Sequence, residues 1–175
     1  YSDHTEYEIV EHYKEVGSRV DMPLMVYHNP PYSGYDIAPP MMRRLHSEVP
    51  RIFGMKLSAD SLEAALGFMQ AMPKDFALYG LASTLMPGVL YGVRGTIVPT
   101  MISFPELAVS LWRALERREL EEALALQLRM NEIRKTLREL RARYGEAVQT
   151  EALRLRGLKV KRFPRWTTKP LAPED

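Results

Sequence analysis

The chain has no cysteine among its 175 residues, which excludes disulfides, thiolate nucleophiles and sulfur-ligated metals and fits a reducing, cytoplasmic setting. No apolar run approaches the roughly 20 residues that a membrane-spanning helix needs, and no signal peptide is visible. Neither charge is in excess. With Lys+Arg 24 against Asp+Glu 22 and a net charge of +2, there is no electrostatic case for nucleic acid or an anionic membrane as the main partner. The arginine-rich C-terminal third intersperses its charges with glutamates along helical stretches, which reads as solvated faces. The four histidines, His4, His12, His28 and His46, lack metal-ligand spacing, so neither a metal nor another cofactor is expected.

What remains is ordinary globular composition, 46% hydrophobic and 26% charged, suited to one domain or part of a larger one. The chain starts with tyrosine rather than methionine, just before a helix, so we expect further chain upstream. Thr5 and Glu8 form a capping-box pattern ahead of Ile9, Val10, Tyr13 and Val16, which share one helical face. A short link at 21–23 leads into a strand over 24–27. Pro30 and Pro31 end it, since they cannot continue a sheet ladder, and a rigid loop is expected through Gly34. A helix over about 40–47 and a strand over 51–56 follow. Asp60 with Glu63 repeats the capping pattern before a helix carrying Leu62, Ala65, Leu66 and Met69, which Pro73 stops. Strands are expected over 76–79 and 94–98, separated by a loop and a short helix interrupted by Pro87. Helices over 107–116, 119–143 and 146–156 precede an irregular proline-containing tail. Four strand-helix units fit either half of an eight-fold barrel or a small doubly wound sheet, and both folds bind ligands at the C-terminal ends of their strands.

Two of those ends carry reactive side chains, Tyr27 and Lys56. In a regular strand Ile52, Gly54 and Lys56 share one face while Phe53 and Met55 take the other. A lysine buried on the inner face is costly when charged, because burial favours the neutral amine. A neutral lysine attacks a ketone to form a Schiff base. The competing reading is a lysine that packs its stem and extends its head into water.

The run Tyr27-His28-Asn29-Pro30-Pro31 followed by Gly54-Met55-Lys56 resembles the dihydrodipicolinate synthase and N-acetylneuraminate lyase family of Schiff-base-forming enzymes. The likeness extends to Met22-Pro23, Ser33-Gly34 with Asp36, Gly80, Gly95-Thr96-Ile97, and Leu155-Arg156-Gly157-Leu158 with Pro164. It implies an α/β fold, a (β/α)8 TIM barrel, of which residues 1–103 hold the second half and residues 104–175 the last barrel helix and a C-terminal helical extension. It further implies a lyase, an aldolase or dehydratase that joins Lys56 to the keto group of pyruvate or another 2-keto acid. By the same match Tyr27 transfers protons beside the imine, Tyr1 is a second tyrosine of the relay, and Asn29, Tyr32, Gly80 and Ile97 fall around the substrate. The implied partners are a small 2-keto acid and an aldehyde, and the implied assembly is a homo-oligomer, a dimer or tetramer.

Three departures qualify the substrate. Tyr32 replaces the arginine with which the synthase branch holds a substrate carboxylate, His28 replaces the usual asparagine, and Leu81 and Ala82 replace acidic residues found after the glycine in some branches. Together they lead us to expect a substrate other than aspartate semialdehyde and a less polar pocket. The family's first four strands, with the hydroxyl-rich motif that binds the keto-acid carboxylate, have no counterpart in the chain. A different class of reading therefore stands beside the lyase: a non-catalytic half-barrel that serves in assembly. A metal-dependent aldolase is disfavoured by the lack of a histidine-carboxylate cluster.

Overall fold

The apolar runs between amphipathic helices become three parallel strands in a computed structural model that describes residues 4–161, 171 and 172. β1 (Leu24–His28), β2 (Ile52–Leu57) and β3 (Ala77–Tyr79) lie side by side in sequence order. Helix α1 (Glu6–Arg19) precedes β1, α2 (Pro30–Ser33) and α3 (Pro39–Glu48) connect β1 to β2, α4 (Leu62–Ala71) connects β2 to β3, and α5 (Leu85–Leu90) follows β3. These elements belong to the first of two compact units, Tyr1–Ile97 and Val98–Asp175.

The start of α1 follows the expected chemistry. The Glu8 backbone N–H donates to the Thr5 hydroxyl at 3.3 Å, and the Thr5 N–H donates back to the Glu8 carboxylate at 2.7 Å. At α4 the pattern misleads. The cap is Ser61, whose hydroxyl accepts the Ala64 N–H, while the Asp60 carboxylate accepts the N–H of Ser83 from the loop after β3. Pro87 does not interrupt α5, because it sits in the first turn, where no N–H is needed for an intrahelical bond.

The fourth strand, expected over 94–98, is present only as a single bridge between Tyr79 and Gly95. Two hydrogen bonds surround it, Arg94 N–H to Leu78 C=O at 2.8 Å and Gly80 N–H to Gly95 C=O at 3.0 Å. Gly95 has a φ of 154°, and Pro99 opens a 3-10 turn four residues later, so the ladder has no regular backbone to continue along.

The side chains of Val26, Met55, Leu57 and Leu78 pack on the helical side with Met42 and Leu45 of α3 and Ala65 and Phe68 of α4, all buried. Each large apolar residue buried in this layer is worth about 1.5–3 kcal/mol. One irregularity sets the faces. Leu24 pairs with Ile52 and the next residue, Met25, with Gly54, so Phe53 is an extra residue in β2, a β-bulge. Ile52, fully buried, thereby joins the helical side with Leu24 and Val26, and the expectation that it shares a face with Lys56 is overturned. Gly54 remains on the Lys56 side. A Cβ there would lie 2.3 Å from the Ala77 carbonyl oxygen and 2.9 Å from the Ala77 Cβ.

The second unit is helical, with α6 (Pro105–Glu116), α7 (Leu120–Tyr144) and α8 (Ala147–Leu155). Arg118, with φ 60°, turns the chain between α6 and α7. Ala123, Gln127 and Met130 form the buried stripe of α7, three to four residues apart as a packed helix requires. Arg156 ties the end of α8 back through its ion pair with Glu106 and a 3.0 Å bond to the Ser103 carbonyl.

Two predictions follow from the sheet. Gly54→Ala forces β2 and β3 apart and should destabilise the protein by about 1–3 kcal/mol, visible as a lower Tm; an unchanged Tm would contradict the close approach. The face opposite the helices leaves Tyr27 54% and Phe53 41% exposed, and a parallel sheet is ordinarily covered on both faces. The 175-residue chain by itself should therefore associate in solution, and light scattering that shows a stable 20.1 kDa monomer would refute this.

Candidate active site

β1 and β2 run parallel, and Tyr27 is the direct partner of Lys56. Partners across a ladder share a face, so both side chains stand on the side away from the helices. Lys56 in turn partners Tyr79 on β3, giving a row of tyrosine, lysine and tyrosine across the C-terminal ends of three strands. The Lys56 Nζ lies 3.9 Å from the centroid of the Tyr27 ring. Lys56 is half-buried, with its amine over the Tyr27 ring.

The Tyr27 hydroxyl is well supplied with partners. The Lys56 amine and the Ser58 hydroxyl, with the Asn29 amide adding to them, hold the phenol below the ordinary tyrosine range, because each stabilises the phenolate; burial opposes them. The Asn29 Nδ2 donates to the phenol oxygen at 2.7 Å. Ser58 escaped the sequence reading, although a signal for it existed. It lies two residues beyond Lys56, and its N–H donates to the His28 carbonyl at 3.0 Å, so the ladder continues and alternation keeps Ser58 on the Lys56 side.

Of the other expected site residues, Gly80 directly follows β3 and packs so tightly against β2 that a Cβ would lie 2.9 Å from the Leu57 carbonyl oxygen. Ile97, 49% exposed, lies two residues past the Gly95 bridge, and Tyr32, 70% exposed, stands on α2 beyond the end of β1. Tyr1 lies outside the described residues. The structure thus brings Lys56, Tyr27 and Asn29 into one cluster.

His28 takes the opposite face from Tyr27. It is only 5% exposed, its ring stands edge-on to Phe68 of α4, and its Nε2–H donates to the Asp36 carboxylate at 2.8 Å. The other ring nitrogen, Nδ1, is buried without a hydrogen-bond partner. A cleft of about 490 Å³ opens on this outer side, lined by His28, Asp36, Ile37, Leu57, Gly67 and Phe68 among others. Leu81, immediately after Gly80, holds a left-handed φ of 59°, and its 2% exposure shows the packing that keeps it there. Among the described residues, no group of three histidine, aspartate or glutamate side chains is placed to hold a metal ion, and no helix is long and apolar enough to cross a membrane.

Comparison with known proteins places this geometry. The family model described as "Dihydrodipicolinate synthetase family" matches residues 1–175. A 4-hydroxy-tetrahydrodipicolinate synthase of Aliarcobacter butzleri is 33% identical over 138 residues, covering 78% of this chain and 46% of the relative. An uncharacterized DapA-like lyase of Halobacterium salinarum is 33% identical over 148 residues, covering 85% and 47%. Among solved structures, a putative dihydrodipicolinate synthetase from Pseudomonas aeruginosa superposes with a TM-score of 0.85 at 26% identity, covering 99% of this chain and 59% of its own. YagE of Escherichia coli K12, solved in complex with pyruvate, shares the fold with a TM-score of 0.88 at 22% identity, covering 99% and 59%. The chain spans about half the length of the curated relatives it matches. Its partial parallel sheet with flanking helices is part of the barrel seen in those structures. The chain belongs to the dihydrodipicolinate synthetase family.

Proposed function

We propose that the protein is a Schiff-base lyase in which Lys56 condenses with the keto group of a pyruvate-type 2-keto acid and Tyr27 carries the protons. The observation that supports this most directly is the pairing of the two residues across β1 and β2, with the amine 3.9 Å from the ring centroid. Neutral amine adds to the carbonyl carbon, and one proton passes from the new ammonium nitrogen to the former carbonyl oxygen to give a neutral carbinolamine. The phenol then donates to the departing hydroxyl, water leaves, and the nitrogen lone pair closes the C=N bond. A phenol held below its ordinary range by Lys56 and Ser58 gives up its proton more readily than free tyrosine, which suits it to the donating step. Subsequent carbon-carbon cleavage, condensation or loss of water uses the iminium as an electron sink, so no further cofactor is required.

In this reading residues 1–103 supply the second half of the barrel, residues 104–175 its last helix and a helical extension, and Tyr1 a second relay tyrosine. Asn29, Tyr32, Gly80 and Ile97 border the substrate, and the working protein is a cytoplasmic homo-oligomer, a dimer or tetramer.

Borohydride reduction of the full-length protein in the presence of pyruvate should add one ligand mass to the peptide carrying Lys56. Labelling of another lysine, or undiminished trapping in Lys56→Ala, would sink the assignment. Tyr32 gives the second expectation. A neutral phenol at that position cannot form the charged, two-pronged contact that a second substrate carboxylate wants, a loss of about 1.5–3 kcal/mol and thus roughly tenfold to a hundredfold in rate. Aldehydes without a carboxylate there should be turned over faster than aspartate semialdehyde, and steady-state kinetics showing the reverse order would disprove this.

A further inference from the structure

We propose that Asn29 is a positioning residue for the Tyr27 phenol, released for that task by the two prolines that follow it. The inference rests on the Schiff-base reading for its consequence in turnover, but its structural basis is independent. Asn29 occupies the N-cap of α2, a place where asparagine ordinarily accepts the N–H of the second or third helical residue through its side chain. Here the side chain makes no capping bond. Pro30 and Pro31 fill the first two helical positions and have no N–H to offer. The third, Tyr32, gives its N–H to the Asn29 backbone carbonyl at 2.9 Å, and the Ser33 N–H goes to the same oxygen at 2.9 Å. The helix start is thus satisfied by main chain alone. The Asn29 amide is turned back over the strand end, where Nδ2 donates to the Tyr27 hydroxyl at 2.7 Å.

The consequence is directional. An oxygen that accepts from Asn29 must send its own proton elsewhere, and the Lys56 amine lies over the face of the same ring. Asn29 therefore fixes one side on which the Tyr27 oxygen is bound and leaves the remaining directions to its proton. It also favours the phenolate, since an amide donor stabilises negative charge and carries none itself. The titratable groups facing Tyr27 from the packed elements are Lys56 on β2 and, one strand further along the same row, Tyr79 on β3. His28 and Asp36 are paired with each other, and the His28 side chain lies on the opposite face of β1.

The test uses the full-length protein with Asn29→Ala and Asn29→Asp. Tyrosinate absorbance is titrated against pH, with Tyr27→Phe as the reference that isolates the Tyr27 signal. Both variants should move the Tyr27 transition to higher pH, Asn29→Asp further because its carboxylate repels the phenolate. The acid limb of the pH–kcat profile should move the same way, with kcat about tenfold lower, KM nearly unchanged and Tm unaltered, because the side chain does not cap the helix. A Tyr27 transition that stays in place in both variants overturns the proposal, as does a fall in Tm with no change in that transition. If pyruvate is not trapped at Lys56 in the unaltered protein, the proposed function falls, and the phenol titration still decides the role of Asn29.

Discussion

A one-residue step in the pairing of β1 with β2 is the constraint on which the site depends. Ile52 and Lys56 are four residues apart, so a regular strand would place both on one face. Each has a strong demand of its own: Ile52 belongs in the apolar layer beneath the helices, and the Lys56 amine needs polar company. The bulge at Phe53 satisfies both, turning Ile52 into the core and Lys56 toward Tyr27. If the bulge closed without repacking, either a lysine would enter the helical layer or an isoleucine would leave it. Taking an ammonium out of water costs several kcal/mol without a partner.

Gly54 extends the same constraint to β3. Its bare backbone lets Ala77 approach closely enough that Tyr79 completes the row begun by Tyr27 and Lys56. Gly80 repeats the device at the end of β3, where its backbone meets that of Leu57. Two glycines thus hold the strand ends together at the point where the reactive side chains project, and the chemistry inherits its spacing from main-chain contact rather than from flexible side chains. Asp60 adds a tie outside the ladder, linking the loop after β2 to Ser83 in the loop after β3.

Much of this was legible in residue order. The alternation of apolar runs with capped helices identified the parallel strands, and the Thr5–Glu8 box marked the start of α1. Tyr27 and Lys56 stood out because each closes a strand. The bulge was not legible, because Phe53 differs in no local preference from an ordinary strand residue; only the pairing partner reveals the extra one. Asp60 imitated a cap because its competing partner, Ser83, lies 23 residues away and is brought near only by the fold. The segment after Arg94 carried strand-forming residues, yet Gly95 and Pro99 reduced it to a bridge. In the first two failures a tertiary contact overrode a local pattern, and in the third the backbone of Gly95 and Pro99 did.

The departures from the family pattern also change meaning once their faces are known. His28 counted as an altered pocket residue in the sequence, yet it points away from Tyr27, bonded to Asp36 and packed on Phe68. Its side chain belongs to the lining of the outer cleft and not to the Tyr27 cluster. Leu81 likewise offers a substrate little apolar surface, since its side chain is packed away and only its unusual backbone remains at the strand end. Tyr32 is different, because its side chain stands open beyond β1. Of these departures Tyr32 is the one whose side chain stands open to a ligand, and the proposed substrate preference rests on it.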